Sequence, residues 1–189
     1  QQYMVQFPRG NIQVLDIAWD ARPKADGGQR WYSLHPDDTI PAGDVLHWTG
    51  PNLNWNYMCA DCHSTNLQKN YDAATASYQT TWTDINVSCE ACHGPGSAHK
   101  QWAEAGGGDN NKGLTVNLNE RHGVTWHTDD QSMLPVRSEA NESRAEIEVC
   151  ARCHSRRSQL SDDFVPGQPF MNAFHPALLT EGLYYADGQ

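Results

Sequence analysis

The chain has 189 residues, with 13 basic against 23 acidic side chains and a formal net charge of −10. Such a surface is a poor match for nucleic acid, where cations must meet phosphates, and no run of about 20 apolar residues is available to cross a membrane. Only 38% of residues are hydrophobic and the mean hydropathy is −0.71, so an ordinary apolar core in one domain or two small lobes would be thin.

Tyr3 to Phe7 and Ile12 to Trp19 read as two strands, and Pro8-Arg9-Gly10-Asn11 between them has the turn chemistry of a hairpin. Arg22 to Arg30 is a polar loop, Trp31 to His35 a short strand stopped by Pro36, and Pro41-Ala42-Gly43-Asp44 a turn. Trp55 to Thr65 reads as a short helix holding Cys59-Ala60-Asp61-Cys62-His63. Asn70 to Trp82 places aromatic and β-branched residues around a small polar centre, the pattern of a second hairpin. Val87 to Lys100 holds Cys89-Glu90-Ala91-Cys92-His93 and then Gly94-Pro95-Gly96, which must turn sharply. Gly106 to Asn111 is the most flexible stretch and marks a boundary between lobes 1–105 and 106–189, unless the chain forms one continuous domain. Leu114 to Leu118 and Gly123 to His127 read as a third hairpin. Ser143 to Leu160 is the best helix, with a Ser143–Glu146 capping box, and it carries Cys150-Ala151-Arg152-Cys153-His154. Pro166, Gly167 and Pro169 end it, and Pro176 to Tyr185 is a candidate for another.

Three copies of Cys-x-x-Cys-His use all 6 cysteines. This is the attachment motif of a c-type haem. Two cysteines separated by two residues reach two vinyl groups of one porphyrin, and the following histidine falls under the iron. Four-cysteine zinc sites would strand one of the three pairs and have no need of a histidine after each. A redox dithiol is the other rival, and it too leaves the trailing histidine unexplained. The expectation is therefore three haems c on Cys59/Cys62, Cys89/Cys92 and Cys150/Cys153, with His63, His93 and His154 as proximal iron ligands. Their large apolar macrocycles would supply the missing core.

Six of the 9 histidines remain as distal candidates. His47, beside Trp48, and His99, just past the glycine turn, rank first; His127, His122, His35 and His175 follow. Each could equally be a surface histidine. Met4, Met58, Met133 and Met171 read as packing residues rather than iron ligands, and Trp48, Trp55 and Trp82 as packing against porphyrin edges. Arg152, Arg156 and Arg157 either sit near haem propionates or are solvated charges on a helix.

Asn54-Trp55-Asn56-Tyr57-Met58-Cys59-Ala60-Asp61-Cys62-His63-Ser64-Thr65-Asn66-Leu67 is specific beyond its haem motif, as is Asp84 through Ser97. With Ile17-Ala18-Trp19-Asp20, His47-Trp48-Thr49-Gly50 and Val149 through Arg157, these resemble bacterial multihaem cytochromes c, which are often fused to tetratricopeptide repeats. The Cys89-to-His99 pattern is also similar to tetrahaem cytochromes and the hydroxylamine-oxidoreductase group. That resemblance implies a haem-centred fold of short helices, small hairpins and much irregular loop. It also implies that His99 ligates a neighbouring haem, and the His47 element suggests the same kind of role. Further haem motifs flank such regions in the family, so the chain, which opens on Gln1 without a signal peptide, is expected to be a segment of a longer protein. Covalent haem attachment happens outside the cytoplasm, which points to a periplasmic or extracellular protein.

Electron transfer through haems of mostly bis-histidine ligation is the leading functional expectation. Its partners would be redox proteins or other haem domains. A nitrite, hydroxylamine or sulfur-oxyanion reductase would need one haem with an open position, which no motif here marks. A subunit of an extracellular cytochrome filament, a homo-oligomer, is the third reading. Cys59 and Cys89 are close in sequence, so the first two haems are expected to be neighbours.

Overall fold

Phe7 through Asn11 reverses the chain as the sequence predicts, with the Phe7 N–H donating to the Asn11 carbonyl at 2.7 Å. Arg9 and Gly10 both take positive φ there, and a Cβ on Gly10 would lie 2.0 Å from the Tyr78 carbonyl oxygen, so only glycine fits. The computed structural model describes residues 1–108, 111–140, 143–180 and 182–185. Asp109 and Asn110, within the predicted flexible stretch, and the last four residues lie outside them. Contacts divide the chain into two units, Gln1–Asn86 and Val87–Gln189.

In the first unit, β1 (Gln2–Gln6), β2 (Ile12–Asp20) and β3 (Arg30–Ser33) form an antiparallel sheet with β2 in the centre. Trp19 faces Trp31 in register, and their rings meet edge-on at 5.4 Å. One face of β2 supplies Val14, which packs with Trp55, Ala60 and Leu67 into a core that Ile12 and Cys59 flank. Trp55–Cys59 is a wide helical turn that runs straight into α1, Ala60–His63. Beyond α1 the chain forms one long irregular ribbon. It joins β4 (Ser64–Thr65) to β7 (Asp84–Ile85), pairs Gln68 with Thr81, and ends in the hairpin β5 (Tyr71–Asp72) and β6 (Ser77–Tyr78). Positive φ at Asn66 and Asn70 breaks it into these short pieces.

The second unit is sparser. It contains α2 (Cys89–His93), α3 (Ser97–Glu104), the hairpin β8 (Trp126–Thr128) and β9 (Pro135–Arg137), α4 (Ala145–His154), and the pair β10 (Arg157–Gln159) and β11 (Phe174–Pro176). Its buried aromatic cluster is Phe170, Ala173 and Phe174, packed against Ala151 and Phe164.

Several expectations are corrected in this unit. The third hairpin is displaced to β8–β9, and Leu114 to Leu118 forms no strand, because Val116 is bonded to His93 instead: its N–H donates to the His93 carbonyl at 3.2 Å. The best helix stops at His154. Ser155 turns extended, its hydroxyl donating to the Ala151 carbonyl at 2.7 Å, and the residues after it pair with β11. The capping box does not form as predicted. The Glu146 carboxylate is taken by the Glu120 N–H and by Arg121 at 2.8 Å. The start of the predicted final helix is β11, whose Ser158–His175 register leaves Pro176 in a strand. No helix of the described residues is long and apolar enough to cross a membrane.

Candidate functional site

Asn54 and Asn56 hold the first cysteine pair from outside the helix. Asn54 Oδ1 accepts the Tyr57 N–H at 3.0 Å and so caps the turn into Cys59. Asn56 is fully buried; it accepts the Ile12 N–H at 2.8 Å and donates to the Gly10 carbonyl and to Thr80 Oγ1. Burial pushes the Cys59 thiol up, with a smaller push from Cys62. A catalytic dithiol needs the opposite, a thiol drawn down toward neutrality. Behind the pair, the His63 carbonyl accepts the Asn86 N–H at 2.9 Å, so the ribbon fastens the helix end while the His63 side chain stays exposed.

The second pair is held differently. Gly94 ends α2 at φ +73°, and a Cβ there would lie 3.0 Å from the Thr115 Cβ. Glu90, between the two cysteines, accepts the Gly96 N–H at 2.7 Å and pins the turn that starts α3. The His93 Nδ1 lies 2.9 Å from the Val116 carbonyl oxygen. A carbonyl only accepts, so Nδ1 carries the proton and Nε2 keeps its lone pair. His99 repeats the device, with Nδ1 2.6 Å from the Lys112 carbonyl oxygen and its ring stacked on Trp102 at 5.4 Å. This is how metal-binding imidazoles are ordinarily oriented. Beside His99, the buried indole N–H of Trp102 has no hydrogen-bond partner among the described residues.

Cys150, Cys153 and His154 on α4 are exposed. Cys150 opens onto a cleft of about 450 Å³ lined by Trp126, Ile147, Arg121, Arg137 and the carboxylates Glu120 and Glu146, a size in the range of cofactor pockets. The same unit brings Cys92 near this motif: burial pushes its thiol up, Cys150 adds to the rise and Arg152 opposes it. The three arginines are not alike. Arg152 is buried over the Phe164 ring at 5.8 Å, Arg157 lies 4.0 Å over Phe174, and Arg156 covers Tyr184 at 5.3 Å.

Among the other candidates, His47 Nδ1 meets Thr49 Oγ1 at 2.8 Å, a partner that can give or take the proton. His35 approaches Asp38 at 3.9 Å, His127 lies in β8, His175 in β11 and His122 in a turn, all four exposed. The methionines expected to pack are exposed, from 45% at Met4 to 72% at Met133 in the β8–β9 turn. Trp55 is buried in the protein core with Trp82 edge-on at 5.0 Å, and Trp48 meets Phe7 at 5.8 Å.

The donor set fits a c-type haem. The cysteines are free thiols in helical pairs, the imidazole tautomer is set at His93, and an orphaned N–H and cationic side chains are available for propionates. Among the described residues no three His, Cys, Asp or Glu side chains group as a zinc site requires. Sequence alone missed the backbone partners Val116 and Lys112, the orphan on Trp102 and the Trp126–Ile147 cleft, for no local pattern marks a carbonyl that a distant loop delivers.

No curated protein matches the chain. Residues 24–94, which span the first two motifs, match the family of cytochrome c554 and c-prime. The outer cell wall cytochrome OcwA shares the fold at a TM-score of 0.50 and 18% identity, over 94% of this chain and 30% of that one. The chain thus spans under a third of the length of that structure. With its few helices, small sheets and long irregular loops, the chain shares the fold of a multihaem cytochrome, and its residues 24–94 are similar to the cytochrome c554 and c-prime family.

Proposed function

We propose that this chain carries three haems c, on Cys59/Cys62, Cys89/Cys92 and Cys150/Cys153, and conducts electrons between them as part of an exported protein. His63, His93 and His154 serve as proximal ligands. His99 and His47 are the first choices as distal ligands, ahead of His127, His122, His35 and His175. The observation that carries the reading is the His93 imidazole. Its Nδ1 proton is held by the Val116 carbonyl at 2.9 Å, one residue after a pair of free thiols, which leaves Nε2 for iron.

When bound, each haem supplies a one-electron Fe(III)/Fe(II) couple, and the protein sets its position and potential. Val116 orients His93 and Lys112 orients His99 in the same way. Trp126 and Ile147 give an apolar wall beside Cys150, and Arg121 and Arg137 supply cations in the same cleft. Redox proteins or further haem domains would be the partners; the chain divides after Asn86 rather than after residue 105, so one haem would belong to the first unit and two to the second.

The test is the pyridine haemochrome of the purified chain together with electron paramagnetic resonance quantified against iron. Three haems per chain with all-low-spin signals are expected. A stoichiometric high-spin signal that shifts with nitrite or hydroxylamine would replace the carrier by an enzyme with an open haem. Absence of covalent haem would overturn the reading.

A further inference from the structure

The first unit has a cleft of about 410 Å³ that neither Cys59 nor Cys62 lines. Asn11, Gln13, Asn54, Tyr57, Tyr71 and Tyr78 line it, with small loop residues between them. Among the described residues that line it, none carries a charged side chain and none is a cysteine or histidine. We propose that this cleft binds a neutral saccharide. The inference goes beyond the haem reading above and does not depend on it.

The buried part of the lining is polar and fixed. Asn54 Nδ2 donates to Gln13 Oε1 at 3.1 Å and to Asn11 Oδ1 at 3.3 Å. Gln13 Nε2 donates in turn to the Trp48 and Gly50 carbonyls, both at 3.0 Å. The open part is phenolic. The β5–β6 register sets Tyr71 opposite Tyr78, with their rings 4.7 Å apart and tilted by 45°. Tyr57 comes from the turn before Cys59, with the Lys69 ammonium 5.2 Å over its ring. Tyr57 is 61% exposed and Tyr71 51%. The hydroxyls of Tyr57, Tyr71 and Tyr78 have no hydrogen-bond partner among the described residues. Burial pushes the Tyr78 phenol up, and Tyr71 and Tyr57 add to the rise. The three phenols are therefore close enough to act on one another, and Tyr78 keeps its proton to donate at neutral pH.

Each part of this lining selects against a class of ligand. A charged ligand meets no countercharge in it. A wholly apolar ligand would cover the hydroxyls without bonding them, which costs free energy. A flat aromatic ligand stacks best on a parallel or offset face, and Tyr71 and Tyr78 are tilted against each other. A sugar ring suits all of it. Its C–H groups meet the tyrosine ring faces, and its hydroxyls both donate and accept, as the phenols do. The volume lies in the range of small-ligand pockets.

The experiment is isothermal titration calorimetry of the purified chain with maltohexaose, cellohexaose and chitohexaose, and with menadione as the flat aromatic comparison. At least one of the saccharides should bind, and hydrogen exchange in β5 and β6 should slow when it does. Tyr57→Phe and Tyr71→Phe should each weaken that binding about 3- to 10-fold, the loss of one neutral hydrogen bond. Tyr57→Ala and Tyr71→Ala should weaken it further, because the ring face goes with the hydroxyl. No heat from any of the saccharides at millimolar concentration would overturn the inference. So would binding that neither phenylalanine variant weakens, or a response to menadione alone. Should an alanine variant fail to fold, the phenylalanine variants still decide it. Haem content, read by the pyridine haemochrome, tests the haem reading separately.

Discussion

The two units solve the same problem with different materials. Around the first motif the protein builds its own enclosure: Trp55 is 4% exposed, Ala60 and Asn56 are fully buried, and a three-stranded sheet backs them. In the second unit, α2 and α3 bury no residue, and Cys89, Cys150 and Cys153 are exposed. Large apolar side chains also stand open there, Trp126 at 59% and Ile147 at 57%. A protein-made core holds the first cysteine pair by itself, whereas the second unit leaves apolar side chains open that the haems proposed above would cover.

The strongest way to break this comparison is to make the chain without haem, by Cys→Ser at all six positions, and follow hydrogen exchange. Protection should persist in β2 and α1 and be lost across α2, α3 and α4; equal loss in both units would refute the contrast. Next in size is Phe174→Ala, where a side chain 1% exposed leaves the second unit's aromatic cluster. A loss of about 3–5 kcal/mol is expected, read from exchange in β10 and β11. Asn56→Ala tests the first unit. It strands the Ile12 N–H and the Gly10 carbonyl, and should cost about 2–3 kcal/mol by exchange in β2. Gly94→Ala imposes φ +73° on a side chain that meets Thr115, an expected loss of about 1–3 kcal/mol, with His93 loosened from Val116.

The smallest effect concerns pH. Hydrogen bonding from Arg22 holds the Asp20 carboxyl at about 2, below its ordinary value of 3.8. A carboxyl lowered in the folded state adds stability at neutral pH. That contribution falls away as pH drops from about 4 through about 2. In an acid titration followed by nuclear magnetic resonance, the Asp20 carboxyl should protonate near the lower end of that window. Asp20→Asn should remove this pH dependence and leave the rest of the sheet in register.

Much of the first unit was legible because its signals are local. Pro8-Arg9-Gly10-Asn11 sits between alternating residues, and a hairpin with that turn results. Tyr71 pairs with Tyr78 as their spacing suggests. Reading failed where a distant segment competed for the same backbone. The 114–118 run has strand-forming residues, but Val116 is bonded to His93. Residues 155–160 have helix-compatible composition, but β11 offers Arg157 to Gln159 a ladder that ends the helix at His154.

By itself the sequence carried the proposed haem chemistry at three points, since the spacing of two cysteines and a histidine is one that a single helical turn can offer to a porphyrin. It also determined the acidic surface and the shortage of apolar residues for an ordinary core. Only the tertiary structure decided which carbonyl orients His93 and which orients His99, that Arg152 is buried while Arg156 is exposed, and that the enclosure around Cys59 is made by β2 and two asparagines. Those outcomes depend on contacts between residues far apart in the chain, 44 positions in the case of Ile12 and Asn56. A periodicity or a motif records only what neighbouring residues require of each other.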